Sequence, residues 1–169
     1  MVNGYNAYNT HQSVLMHVLT IVTTGSVLEF GMGEGSTHFM HAICEKQGRK
    51  LLSLDNSQKW IDKYINYKSP SHEIAVFKPS EILLKACGFF NEKFSVVFVD
   101  AAPAEIRQPF FILMKNQVDY FIVHDTEAKA YNWNFKNFKH VLEYTKETPR
   151  TTVLSDLDVI DERILEVFK

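Results

Sequence analysis

Apolar residues recur along this chain in two alternating rhythms. Over His11 to Val22, the residues Val14, Leu15, Val18, Leu19 and Val22 stand three and four positions apart, which lays one apolar stripe on a helix. Thr23-Thr24-Gly25-Ser26 interrupts the stripe, and Val27-Leu28-Glu29-Phe30 then predicts a short strand. After the glycine run Gly31-Met32-Gly33-Glu34-Gly35, Ser36 and Thr37 open a second helix that buries Phe39, Met40, Ile43 and Cys44. Gly48 can take the left-handed conformation that ends such a helix, and a strand over Lys50 to Asp55 follows.

The same beat continues. A helix over Ser57 to Tyr67 buries Trp60, Ile61, Tyr64 and Ile65, and Ile74-Ala75-Val76-Phe77 supplies the third strand. Then come a helix over Ser80 to Cys87, a strand over Ser95 to Val99, a helix over Arg107 to Lys115 and a strand over Tyr120 to Val123. Strands that are apolar on both faces, each followed by a helix, predict a parallel sheet covered on both sides with right-handed crossovers. A last helix is expected over Asn134 to Thr145, and an antiparallel pair between Thr151–Leu154 and Arg163–Phe168 across the turn at Asp156-Leu157-Asp158. The expected fold is α/β: a doubly wound, mostly parallel seven-stranded sheet with helices on both faces and a C-terminal antiparallel strand pair.

Composition narrows the function. The chain has 169 residues, 46% of them hydrophobic, enough for one core, so a single domain over 1–169 is expected, with 1–25 as an N-terminal segment and helix able to act as a lid. With 18 basic against 20 acidic residues, the net charge of −2 provides no general field for a polyphosphate, which disfavours a nucleic-acid partner. Cys44 and Cys87 lie in apolar segments without a CxxC pattern, which points to core packing in a reducing compartment. No leader-like start or bilayer-length apolar run is present, so a cytoplasmic protein without membrane contact is expected.

The candidate chemistry lies where strands end. Glycines between a strand and a helix let a ligand approach the backbone, and the amino end of the helix favours negative charge. Counting from Gly31, the sixth position is Ser36 and the third glycine comes early at Gly35, which departs from the dinucleotide fingerprint; no Gly-Lys-Ser/Thr follows, which excludes the P-loop. The run from Val27 to Thr37 resembles the first motif of class I S-adenosylmethionine-dependent methyltransferases. The resemblance extends to Asp55 at the end of the second strand, Asp100 at the end of the fourth and the antiparallel ending, and it is nearest in pattern to small-molecule and sugar O-methyltransferases. It implies S-adenosylmethionine as cofactor, with Glu29 orienting its methionine end, Gly31, Gly33 and Gly35 allowing close approach beside Ser36 and Thr37, and Asp55 and Asn56 meeting the ribose. Relatives often carry an acid after the third strand; here Lys78-Pro79-Ser80 stands there, leaving Ser80 as the substitute.

Asp100 and Asp125 end adjacent strands, and two neighbouring carboxylates invite a divalent ion such as Mg2+, which could hold the acceptor's oxygen and lower its pKa. The alternative is that Asp100 serves the cofactor and Asp125 caps a loop. Without a metal, His124 is the nearest base, although alternation along the strand would turn it away if Asp125 faces the site. His38 and His41 share a helix side but lack further zinc ligands, and His11 could close over the cofactor. Tyr131, Trp133, Phe135 and Phe138 offer flat faces to an acceptor, or serve as core or dimer surface.

The expected function is therefore O-methylation of a small-molecule or sugar hydroxyl, with Asp100, Asp125 and His124 as the catalytic residues. The N-terminal segment and the Thr126–Phe135 loop would form the lid, and a homodimer is allowed. Rival functions are methylation of a nucleic-acid or protein nitrogen, for which the Asn/Asp-Pro-Pro-aromatic sign is missing at Asp100-Ala101-Ala102-Pro103, and a non-catalytic cofactor-binding subunit.

Overall fold

The computed structural model describes residues 9–79 and 92–169. Seven strands form one sheet: β1 (Ser26–Phe30), β2 (Leu51–Asp55), β3 (His72–Val76), β4 (Phe94–Val99), β5 (Val118–His124), β6 (His140–Tyr144) and β7 (Thr151–Ser155). Their order is β3-β2-β1-β4-β5-β7-β6. The first five strands pair in parallel, and β7 runs antiparallel to both β5 and β6. The order reverses direction at β1 and β4, so the loops that leave these two strands diverge and open a crevice at their carboxyl ends.

Four α-helices were expected in the described regions up to Lys115, and they are present: α1 (Gln12–Ile21), α2 (Thr37–Gln47), α3 (Gln58–Tyr64) and α4 (Arg107–Met114). Strand alternation divides the core into two layers. Val27, Leu51, Val96, Phe98 and Ile122 face α1 and α2, where Val14, Val18, Met40 and Cys44 are buried. Leu28, Phe30, Val97, Val99 and Phe121 face α4, which buries Phe110, Phe111 and Met114. Gly48 does end α2 in the left-handed region, at φ 67°. The helix expected over Ser80 to Cys87, and Ser80 and Cys87 themselves, lie outside the described residues.

The C-terminal third departs from expectation. Where a helix was predicted over Asn134 to Thr145, β6 occupies His140–Tyr144, with Val141 and Glu143 exposed and His140, Leu142 and Tyr144 turned inward. That is the two-residue period of a half-covered edge strand, although Phe135, Phe138, Val141, Leu142 and Tyr144 also stand three and four apart, as on a helix. Consequently the partner of β7 is β6 and not Arg163–Phe168. Glu162–Phe168 is a 3-10 segment that buries Ile164 and lays Val167 and Phe168 on the α1 layer, a helical spacing read as a strand.

Candidate active site

β1 delivers Glu29 into the interior on the same face as its β2 neighbour Ser53, and the carboxyl is completely buried. Three hydroxyls satisfy it: Ser36 Oγ at 2.6 Å and Thr37 Oγ1 at 2.9 Å donate to Oε1, and Ser53 Oγ at 2.6 Å donates to Oε2. Burial raises its pKa to about 7, against the pull of these hydroxyls. Glu29 therefore braces the glycine loop from behind through Ser36 and Thr37. Beyond it, Ser53 Oγ lies 2.9 Å from His72 Nε2, and His72 Nδ1 lies 3.1 Å from His41 Nδ1.

The glycines of the loop have different tasks. Gly31 has φ +102°, and a Cβ there would stand 2.3 Å from the Ala101 nitrogen, so this glycine lets the ends of β1 and β4 cross without collision. A Cβ on Gly33 would meet only Ser36 Oγ, at 3.8 Å. It would project into a cavity of roughly 380 Å³ lined by His11, Met32, Gly33, Glu34, Gly35, Ser36, Trp60 and Asp100. The amino end of α2 borders this cavity at Gly35 and Ser36, where the helix dipole favours a carboxylate. Asp55 anchors the neighbouring turn: its carboxylate accepts from the backbone N–H of Met32 at 2.8 Å and of Ser57 at 2.7 Å, and from Asn56. Burial raises its pKa.

At the ends of β4 and β5 the expected neighbours do converge, around a cation that the sequence pattern did not single out. Arg107, on the first turn of α4 and 6% exposed in its side chain, places Nη2 2.9 Å from Asp100 Oδ1 and Nη1 3.0 Å from Asp125 Oδ2. It also donates to the carbonyls of Ala101, Asp100 and His124, and its guanidinium lies against the Tyr131 ring. A guanidinium already in this position does not fit Mg2+ held between the same two carboxylates, because the ion would lie against a fixed positive charge. The signal available in the sequence was an arginine opening the helix directly after the first of two strand-end aspartates.

Asp125 adopts φ 61°, and this left-handed turn lets both Asp125 and His124 reach the cluster despite strand alternation. His124 Nδ1 lies 3.3 Å from Asp100 Oδ1 and 3.5 Å from Asp125 Oδ1. Burial lowers the basicity of His124, and the two carboxylates more than offset it, so its pKa lies above that of a free imidazole. His11 joins from the start of α1: its ring packs on Phe98 and His124, and Nε2 lies 3.0 Å from the Gly35 carbonyl. Burial, with His124 next to it, lowers its pKa to about 4.

Trp60 was predicted only as a buried helix residue, and it forms part of the cavity wall. His38 packs edge-on against Phe39 and takes no part in the site. Trp133, Phe135 and Phe138 surround Phe111 as core; Trp133 also donates to the Asp125 carbonyl.

No protein-family model matches the sequence, and no curated protein matches it. Solved structures do. Human methyltransferase-like protein 13, in complex with SAH, is 13% identical with a TM-score of 0.67, over 97% of this chain and 90% of that one. The fold is that of class I S-adenosylmethionine-dependent methyltransferases. An O-methyltransferase from Bacillus cereus, also in complex with SAH, superposes with a TM-score of 0.66 at 12% identity over 91% of this chain and 84% of that one. Spermidine synthase from Thermotoga maritima gives 0.63 at 15% identity, over 96% of this chain and 64% of the synthase. Among the described residues, no helix of this methyltransferase-fold protein is long and apolar enough to cross a membrane.

Proposed function

We propose that this protein is an S-adenosylmethionine-dependent O-methyltransferase that acts on a hydroxyl of a small molecule or sugar. The observation that carries the reading is a single cavity that joins the Gly33–Ser36 loop, open at the position a Cβ would fill, to the carboxylate of Asp100. S-adenosylmethionine would supply a sulfonium methyl: an acceptor oxygen forms the new C–O bond as the C–S pair returns to sulfur, and the hydroxyl proton must be taken up.

The chain's own groups suit each part. The loop at Gly33 and Gly35 gives room for the methionine portion, and the α2 amino end suits its carboxylate. Asp55 adjoins the cavity through Met32, whose N–H it accepts, and a ribose at that edge would reach its remaining lone pairs beside Asn56. Trp60 offers a flat wall to a planar ring. Asp100 borders the cavity as the proton acceptor, while Arg107 fixes its orientation and that of Asp125; His124 sets the charge around both. His11 closes the cavity above the Gly35 carbonyl.

The neighbours' activities support this reading through fold alone, and the O-methyltransferase from Bacillus cereus is the nearest in chemistry of those named. Purified protein given methyl-labelled S-adenosylmethionine and a panel of hydroxyl acceptors should transfer label. Asp125→Asn should lower kcat by about 10²-fold with affinity for S-adenosylhomocysteine unchanged, since Asp125 does not line the cavity. Label appearing only on protein or nucleic-acid nitrogen, or cofactor binding with no turnover on any acceptor, would overturn it in favour of the two rival functions.

A further inference from the structure

The contacts around His11 and His124 fix where their hydrogens are. Thr10 Oγ1 gives its one hydrogen to the Pro149 carbonyl at 2.7 Å, so toward His124 Nε2, 2.9 Å away, the same oxygen accepts, and Nε2 carries a hydrogen. The Gly35 carbonyl can only accept, so His11 Nε2 carries a hydrogen as well. The nitrogen each ring has left for a ligand is Nδ1. His11 is 2% exposed and its Nδ1 is buried without a hydrogen-bond partner; His124 is 4% exposed and its Nδ1 also lacks a partner of hydrogen-bond geometry, while it faces two carboxylate oxygens. Two buried lone pairs beside a carboxylate repel one another unless a cation sits among them. A proton on His124 would answer Asp100 and leave His11 unanswered; a metal ion answers all three.

We propose that His11, Asp100 and His124 form a binding site for a divalent transition-metal ion, Zn2+ or Fe2+, at the acceptor end of the cavity. One ring nitrogen of His11, one of His124 and one carboxylate oxygen of Asp100 lie within 4.8 Å of one another, so small side-chain rotations bring them to one ion. Two imidazoles and one carboxylate suit borderline ions and not Mg2+, which takes oxygen ligands. Both imidazoles are already held from behind through Nε2–H, by a backbone carbonyl and by the Thr10 hydroxyl, as ligating histidines are. With the imidazoles neutral, the carboxylates of Asp100 and Asp125 exceed the one guanidinium of Arg107, so the local field attracts a dication. Asp100 Oδ1 faces both Arg107 Nη2 and His124 Nδ1, so the ion would replace that one contact of Arg107, which keeps Asp125 as its partner, and three protein ligands leave positions open toward the cavity that His11 and Asp100 line. Resting on the function proposed above, an acceptor hydroxyl in an open position would be acidified and would pass its proton to solvent water at the cavity mouth, Asp100 then serving as ligand in place of base, before its oxygen takes the methyl group from the sulfonium.

The test is chelator-stripped full-length protein titrated with Co2+ under visible spectroscopy and with Zn2+ by calorimetry, with S-adenosylhomocysteine binding measured in parallel. The expected result is one Co2+ per chain with ligand-field absorption, displaced by Zn2+, and an unfolding temperature raised by Zn2+. His11→Gln and His124→Asn should each weaken Zn2+ binding by about 100-fold and abolish the Zn2+-dependent rise in unfolding temperature. Circular dichroism identifies a variant that has failed to fold, and the other variant then carries the test. Absence of Co2+ absorption and Zn2+ heat in wild type, or metal binding that neither folded variant weakens, overturns the proposal. Failure of metal binding with S-adenosylhomocysteine binding intact rejects only the metal site, whereas the reverse rejects only the methyltransferase reading.

Discussion

Single residues in this protein act through what their side chains are denied. Glu29 and His72 are both sealed from water and joined through Ser53, yet burial moves them oppositely: the carboxyl rises to about 7 and the imidazole falls to about 4. His72 below its unfolded value of 6.5 contributes stability that is complete above that value and lost as pH falls toward about 4. Glu29, raised above its ordinary 4.5, contributes stability complete below that value and lost as pH rises toward 7. His72→Gln should therefore show a shallower loss of stability than wild type between pH 6.5 and 4, seen in urea midpoints across that range. Each unit of pKa separation is worth about 1.4 kcal/mol at most, and a wild-type-to-variant difference that stays constant with pH would contradict the burial argument. The strand–turn–helix unit that carries Glu29 and the loop glycines was legible in the sequence because the hydrophobic period changes across the glycine run. Arg107 was not, since its role depends on the meeting of β4, β5 and α4, which no local pattern encodes.

At the scale of elements, the strand–helix units were legible because strands apolar on both faces and helices with one apolar stripe carry different periods. Phe30 shows what that packing is worth. At the end of β1 it stacks on Phe110 of α4 with centroids 3.9 Å apart and on Phe77 at 4.9 Å. Phe30→Ala should cost about 3–5 kcal/mol in denaturant unfolding, as expected for a void in a filled core, whereas a loss below 1 kcal/mol would mean the layer collapses around the gap. The elements after β5 were misread for a physical reason. An edge strand such as β6 is covered on one face only, and its few inward residues, His140, Leu142 and Tyr144, mix with the core aromatics Phe135 and Phe138 into a false helical period. In Glu162–Phe168, Ile164, Val167 and Phe168 stand three and four apart, the spacing of the 3-10 segment that packs on α1 and not of a strand.

Across the whole molecule, two buried arginines tie the opposite ends of the sheet. Arg49 holds the carbonyls of Val22 and Gly25 and the Ser95 hydroxyl at the amino ends of β1 and β4. Arg107 holds the carboxyl ends, where Asp100, Asp125 and His124 meet the glycine loop. The topology places a ligand crevice at the second end, where Asp100, Asp125 and His124 gather. The most direct test is calorimetry of S-adenosylhomocysteine with the full-length protein and with Gly33→Val. Wild type should bind saturably at one site per chain, and the variant should keep its circular dichroism spectrum but bind at least about 100-fold more weakly, because its side chain would fill the cavity. Folded wild-type protein that takes up neither S-adenosylhomocysteine nor S-adenosylmethionine would contradict the account.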